Sequence, residues 1–123
     1  MNISGICLVT EDVKSLVEFY EKLFDTTAEG DHRYGYIIFG DIHFSFCSDE
    51  IEKNIAPDYN LPSRGGRCII EIRVDDVHKM YGRALELNCT IPKALKTEVW
   101  GVTSFWVEDP EGNIISFLTP PKH

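Results

Sequence analysis

The spacing of hydrophobic positions changes several times along the chain, and each change marks an element. Residues 3–9, Ile-Ser-Gly-Ile-Cys-Leu-Val, form a short β-prone run. Val13, Leu16, Val17, Tyr20 and Phe24 then recur at helical spacing on one face. They predict a helix over about 12–24, with Thr10-Glu11-Asp12 supplying a cap and early acidic charge. Residues 33–39 and 42–47 read as two strands joined by a Gly40-containing turn. The polar stretch from Ser48 to Gly66 reads as a connector with a short helical turn.

The opening pattern then recurs. Arg67 to Val74 predicts a strand, and Asp75 or Asp76 a helix cap. Val77, Met80, Tyr81, Ala84 and Leu85 predict the apolar face of a second helix, with Asn88 at its end. A short strand near 90–91 and a loop from Pro92 to Thr97 lead to a closing hairpin. There, β-rich runs flank Pro110-Glu111-Gly112-Asn113, in which proline presets one turn angle and glycine permits the left-handed one.

Each half is thus a strand, a helix and about three strands. Asp12-Val13 aligns with Asp76-Val77 and Gly40 with Gly112, so the second half carries the longer insertion. The pattern predicts an α+β fold of paired βαβββ modules, forming a curved mixed sheet around a cup with helices on the outer face. The modules span about 1–50 and 67–123, joined through 51–66 within a single domain.

At 123 residues, such a domain buries roughly two-thirds of its unfolded surface. Apolar and charged contents of 43% and 26% are those of an ordinary globular chain. No apolar run has transmembrane length, and the start lacks a signal-peptide pattern, so a cytoplasmic protein is expected. Twelve basic against twenty acidic residues give −8, a charge that repels nucleic acid and suits either solubility or a cationic ligand. Cys7, Cys47, Cys68 and Cys89 include no C-x-x-C pair and read as small hydrophobes.

Three pieces in order, Glu11-Asp12-Val13 with Phe19-Tyr20-Glu21-Lys22-Leu23, Val74-Asp75-Asp76-Val77, and Asp109-Pro110-Glu111-Gly112-Asn113, resemble the vicinal oxygen chelate superfamily. It contains glyoxalase I, extradiol dioxygenases, fosfomycin-resistance enzymes and bleomycin-resistance proteins. The resemblance implies paired βαβββ modules, a homodimer and, in the enzymes, a divalent metal held by His, Gln or Glu. It projects ligand positions onto Gly5, Ile69 and Ser116, whose side chains are poor ligands or none. No metal site and no cofactor are therefore expected, with a divalent metal as the alternative.

Strand alternation selects the candidate cup residues. Cys7 shares a face with Gly5, and His43 with Ser45 and Cys47, opposite Ile42, Phe44 and Phe46. Glu71 and Arg73 share a face with Ile69, and Ser116 lies with Ile114 and Leu118. Glu71 pairs either with Arg73 or Arg67 or with a basic group on a ligand. His43 is a general base, a lone metal ligand or a hydrogen-bonded strand histidine. An atypical metal site of His43, Glu71 and Cys7 is a further alternative. Trp100-Gly101 resembles the Trp-Gly that precedes this hairpin in bleomycin-resistance proteins. Trp100 either stacks on a flat ligand or cation, packs in the core, or contacts a dimer partner. Phe105 joins the same wall, while Trp106, of opposite parity, is assigned to the core.

The leading function is metal-free binding of a small planar or cationic molecule by His43, Glu71, Arg73, Trp100, Phe105, Ser116 and Cys7. The alternatives are a metal-dependent lyase, transferase or dioxygenase with an atypical ligand set, and a non-catalytic assembly protein.

Overall fold

The computed structural model describes residues 1–59 and 68–121. The chain divides into two compact units, Met1–Pro62 and Ser63–His123. The first contains β1 (Gly5–Thr10), α1 (Val13–Phe24), β2 (Glu29–Gly30), β3 (Tyr34–Phe39), β4 (Ile42–Ser48) and α2 (Asp49–Ile55). The second contains β5 (Ile69–Arg73), α3 (Val77–Glu86), β6 (Thr90–Thr97), β7 (Thr103–Glu108) and β8 (Ile114–Thr119). Each unit is a β-α-βββ module with a four-stranded mixed sheet, ordered β1-β4-β3-β2 in the first and β5-β8-β7-β6 in the second. The first strand of each runs parallel to the last, and the other pairs are antiparallel.

Aspartates open both longer helices. The Asp12 carboxylate accepts from Ser15 N (3.1 Å), and that of Asp76 from Lys79 N (3.0 Å). The Ser15 hydroxyl donates to Asp12 as well (2.7 Å). That bond, then the Ser15 amide, holds the Asp12 carboxyl below its usual range. A depressed carboxyl contributes stability that is present above its unfolded-state pKa and lost as pH falls through the folded one. Asp12→Ala should therefore lower the unfolding midpoint at pH 7 and make less difference in acid, which melts at both pH values would read. Asn88, with a left-handed φ of 57°, ends α3. Its N–H reaches Leu85 O while Cys89 N–H reaches Ala84 O, closing the last turn from both sides.

One face of each sheet packs against its helix. Val13, Leu16, Tyr20 and Leu23 of α1 are buried with Leu8, Ile37, Phe44 and Phe46. Tyr20 lies at the centre, its ring 5.1–5.3 Å from those of Phe19, Phe24, Phe44 and Phe46. In the second unit, Val77 and Ala84 of α3 are buried with Ile70, Phe105, Val107, Ile115 and Phe117. Leu85 is half exposed because, at about 100° per residue, it stands well round the helix from the Val77–Ala84 line.

One expectation changes here. The loop expected from Pro92 to Thr97 is part of β6, a continuous edge strand with register shifts on either side of Lys93. Proline lacks the N–H that a central strand needs, but an edge strand with irregular pairing tolerates it. The third strand expected after the helix of the first module is the two-residue β2. The contrast between β2 and the eight-residue β6 supplies most of the longer insertion in the second half. The expected strand start at Arg67 and the connector from 60 to 66 lie outside the described residues. Among the described residues, no helix is long and apolar enough to cross a membrane.

Candidate functional site

In the first unit, the sheet face turned away from α1 is set by the β3–β4 and β1–β4 registers. Opposite pairs there are Cys7–Ser45, Ser45–Tyr36 and Tyr36–Glu29 in one row, and Gly5–His43 and His43–Ile38 in the next. Phe44 and Phe46 lie against Tyr20 on the α1 side, so the exposed His43 and the buried Ser45 and Cys47, which alternate with them, take the opposite face, while Ile42 is only partly buried. His43 and Cys7 are exposed on this face.

The register also brings in two residues that strand alternation alone had not singled out. The Tyr36 ring stacks on His43 with centroids 5.3 Å apart and planes at 26°. Tyr34 follows at 6.0 Å from Tyr36. Asp31 fixes the start of β3: its Oδ1 accepts from Arg33 N (2.8 Å) and Tyr34 N (3.1 Å), and its own N–H donates to Tyr34 O. Those amides, Arg33 first, hold the Asp31 carboxyl below its usual range. The result is an aromatic row of Tyr34, Tyr36 and His43. The charge is equally local. The first unit has twelve acidic and four basic residues and the second eight of each, so the whole −8 belongs to the first.

In the second unit, the face away from α3 carries a row in which Glu71 lies opposite Ser116, Ser116 opposite Trp106, and Trp106 opposite Lys93. Glu71 and Arg73 are exposed on the β5 side, and among the described residues no salt bridge joins them. Arg67, the other expected partner, lies outside the described residues. Lys93 is held instead: its Nζ donates to Ser104 O (2.9 Å) and Oγ (3.1 Å) and lies 3.9 Å from Glu98.

The parity of β7 is the reverse of that expected. Phe105 is fully buried on the helix side, edge-on to Tyr81 and stacked on Phe117 with centroids 5.3 Å apart. It is therefore core, and Trp106 stands on the open face beside Ser116. Trp100 is not core either. It projects from the β6–β7 turn, 67% exposed, beside Val99 at 100%. Of the seven residues expected to line one site, Cys7 and His43 lie on the first unit's open face and Glu71, Arg73 and Ser116 on the second's, while Phe105 is core and Trp100 lies in the β6–β7 turn.

The positions projected for a divalent metal do not fit one. Gly5 has no ligating side chain, and a Cβ built there would stand 2.4 Å from His43 O, a backbone atom. Ile69 is apolar and Ser116 a neutral hydroxyl. Among the described residues, no group of three or more His, Cys, Asp or Glu side chains could hold a metal ion. Gly5→Ala should destabilise the first unit by about 1–3 kcal/mol, because the methyl group forces β1 and β4 apart. Denaturant unfolding would show it. An unchanged midpoint would mean that the two strands have room to spare.

Comparison with known proteins places this geometry. The family model described as Glyoxalase/Bleomycin resistance protein/Dioxygenase superfamily matches residues 2–117. An uncharacterized protein of Mycobacterium bovis is 28% identical over 123 residues, covering 94% of this chain and 81% of that protein. Among solved structures, a glyoxalase-related enzyme from Fulvimarina pelagi superposes with a TM-score of 0.84 at 15% identity, covering 96% of this chain and 87% of that one. A glyoxalase/bleomycin resistance protein/dioxygenase from Nocardioides does so with 0.83 at 15% identity, covering 99% and 85%. At such identities the structural likeness concerns the fold.

Proposed function

The chain belongs to the glyoxalase/bleomycin resistance protein/dioxygenase superfamily, and we propose that within it this protein binds a small planar, cationic molecule without transforming it. The observation that carries this reading is the aromatic row of Tyr34, Tyr36 and His43 on the open face of the unit that holds all the net negative charge. Flat rings attract flat ligands by offset stacking, and their negative faces attract cations. Glu29, opposite Tyr36, adds a carboxylate at the end of the row. The poor donor set at Gly5, Ile69 and Ser116 removes the divalent ion on which the superfamily's enzymes rely. The face is left to recognition by stacking and charge. As the family resemblance implies, the protein would work as a homodimer, which sedimentation velocity would test.

The test is a titration with matched flat probes: the proflavine cation, a neutral aromatic of similar size and an anthracene carboxylate. Proflavine should bind saturably and the carboxylate least. Tyr36→Ala should weaken proflavine about tenfold, the equivalent of roughly 1.4 kcal/mol of stacking and cation–π energy. Equal binding of all three probes, or an unaffected Tyr36→Ala, would overturn the reading.

A further inference from the structure

Cys7 and Cys47 are the feature of the open face that the binding reading does not use. They come from adjacent parallel strands, where Cys7 lies opposite Ser45 and Cys47 opposite Val9, so the two are diagonal neighbours on one face. Both are free thiols, Cys7 exposed and Cys47 buried. The Cys47 thiol donates to Ser48 O (3.4 Å).

The backbone disfavours joining this pair directly. With strands about 4.8 Å apart and a rise of about 3.3 Å per residue, diagonal neighbours have Cα atoms about 8 Å apart. A disulfide needs less than about 7 Å. A thiolate–metal–thiolate bridge spans more: two metal–sulfur bonds of about 2.3 Å each put the sulfurs about 4.6 Å apart. Diagonal neighbours on one face have Cβ atoms somewhat closer than their Cα atoms, so two cysteine side chains turned toward each other can reach that separation. Two donors also select the ion. Zinc asks for four ligands, and no third His, Cys, Asp or Glu completes a group here among the described residues. Soft monovalent ions accept two thiolates in a line, and thiolate ligands favour them.

We propose that Cys7 and Cys47 form a two-thiolate site for a soft monovalent cation of the copper(I) or silver(I) type. Binding forms two metal–sulfur bonds and releases the two thiol protons, with no change of oxidation state. Burial, the largest influence, pushes the Cys47 thiol up, and the Cys7 thiol and Glu52 carboxylate add to this. The Glu52 N–H favours the thiolate. The Ser45 hydroxyl, opposite Cys7 and only 3.5 Å from Ile6 O, can turn to donate to a thiolate. The site is independent of the aromatic row and stands if proflavine fails to bind.

The test uses silver(I) nitrate in chloride-free buffer, with Cys68→Ser and Cys89→Ser removing the other thiols. Native mass spectrometry should show one silver ion per chain. Adding Cys7→Ser or Cys47→Ser should weaken retention at least 100-fold while the melting midpoint stays close to that of the parent. Zinc at the same concentration should not be retained. On the natural chain, silver should protect the exposed Cys7 from iodoacetamide, and Cys47→Ser should remove that protection. Retention within threefold in either single-thiol variant, or silver found only in cross-linked pairs of chains, would overturn the proposal. So would ready formation of a Cys7–Cys47 disulfide with diamide in the folded chain, since it would show a backbone closer than the bridge requires.

Discussion

Tyr20→Ala should lower the stability of the first unit by about 4 kcal/mol, the usual cost of emptying a large aromatic site. Tyr20 is fully buried, and its ring is within 5.3 Å of four other aromatic rings. Two of those rings, Phe44 and Phe46, alternate along β4 with His43, Ser45 and Cys47, which face the other way. The cavity would therefore loosen the strand that positions the candidate site. A natural domain is stable by only about 5–15 kcal/mol, so the variant should unfold at markedly lower urea. A loss below about 1 kcal/mol would mean that the cluster collapses into the space.

Asp109→Ala should cost about 3 kcal/mol in the second unit. The carboxylate is 4% exposed and organises the closing turn. Oδ1 accepts from Glu111 N (2.8 Å) and Asn113 N (2.9 Å), and Oδ2 from Asn113 Nδ2 (2.8 Å). Hydrogen bonds to a charged group contribute about 1.5–3 kcal/mol each but do not add fully, since some of the freed donors reach water. Gly112, at φ 86°, supplies the left-handed residue of the same turn. The turn fixes the pairing of β7 with β8, and hence the row of Trp106, Ser116 and Glu71. A thermal midpoint lowered by roughly 10 °C is expected. A midpoint within 2 °C of the parent would show that the backbone holds the turn unaided.

These two residues also mark how much of the molecule is legible in the chain. Helical spacing around Tyr20, the aspartate caps at Asp12 and Asp76, and the turn glycines at Gly40 and Gly112 are local signals, and they describe both modules. What could not be read depends on pairing. Phe105 and Trp106 are adjacent, both large, and compatible with either face. Only the contacts of Phe105 with Phe117 and Tyr81 decide which is core. Tyr34 and Tyr36 alternate visibly, yet their place beside His43 follows from the hairpin register rather than from strand parity alone. Pro92 hid β6 because it reads as a strand breaker wherever an edge position is not already known. The charge on the first unit was present in the sequence but concealed in the total.

The proposed recognition of a flat cation in place of the superfamily's metal ion makes opposite predictions for the two kinds of ligand. Thermal unfolding of chelator-treated protein tests it most directly, with proflavine or with Mn²⁺, Fe²⁺, Co²⁺, Ni²⁺ or Zn²⁺ in turn. A ligand at a hundred times its dissociation constant stabilises the native state by about 2.7 kcal/mol. Proflavine should raise the midpoint by several degrees, Tyr36→Ala should remove that rise, and none of the five metal ions should match it. A rise with a divalent ion and none with proflavine would contradict the account.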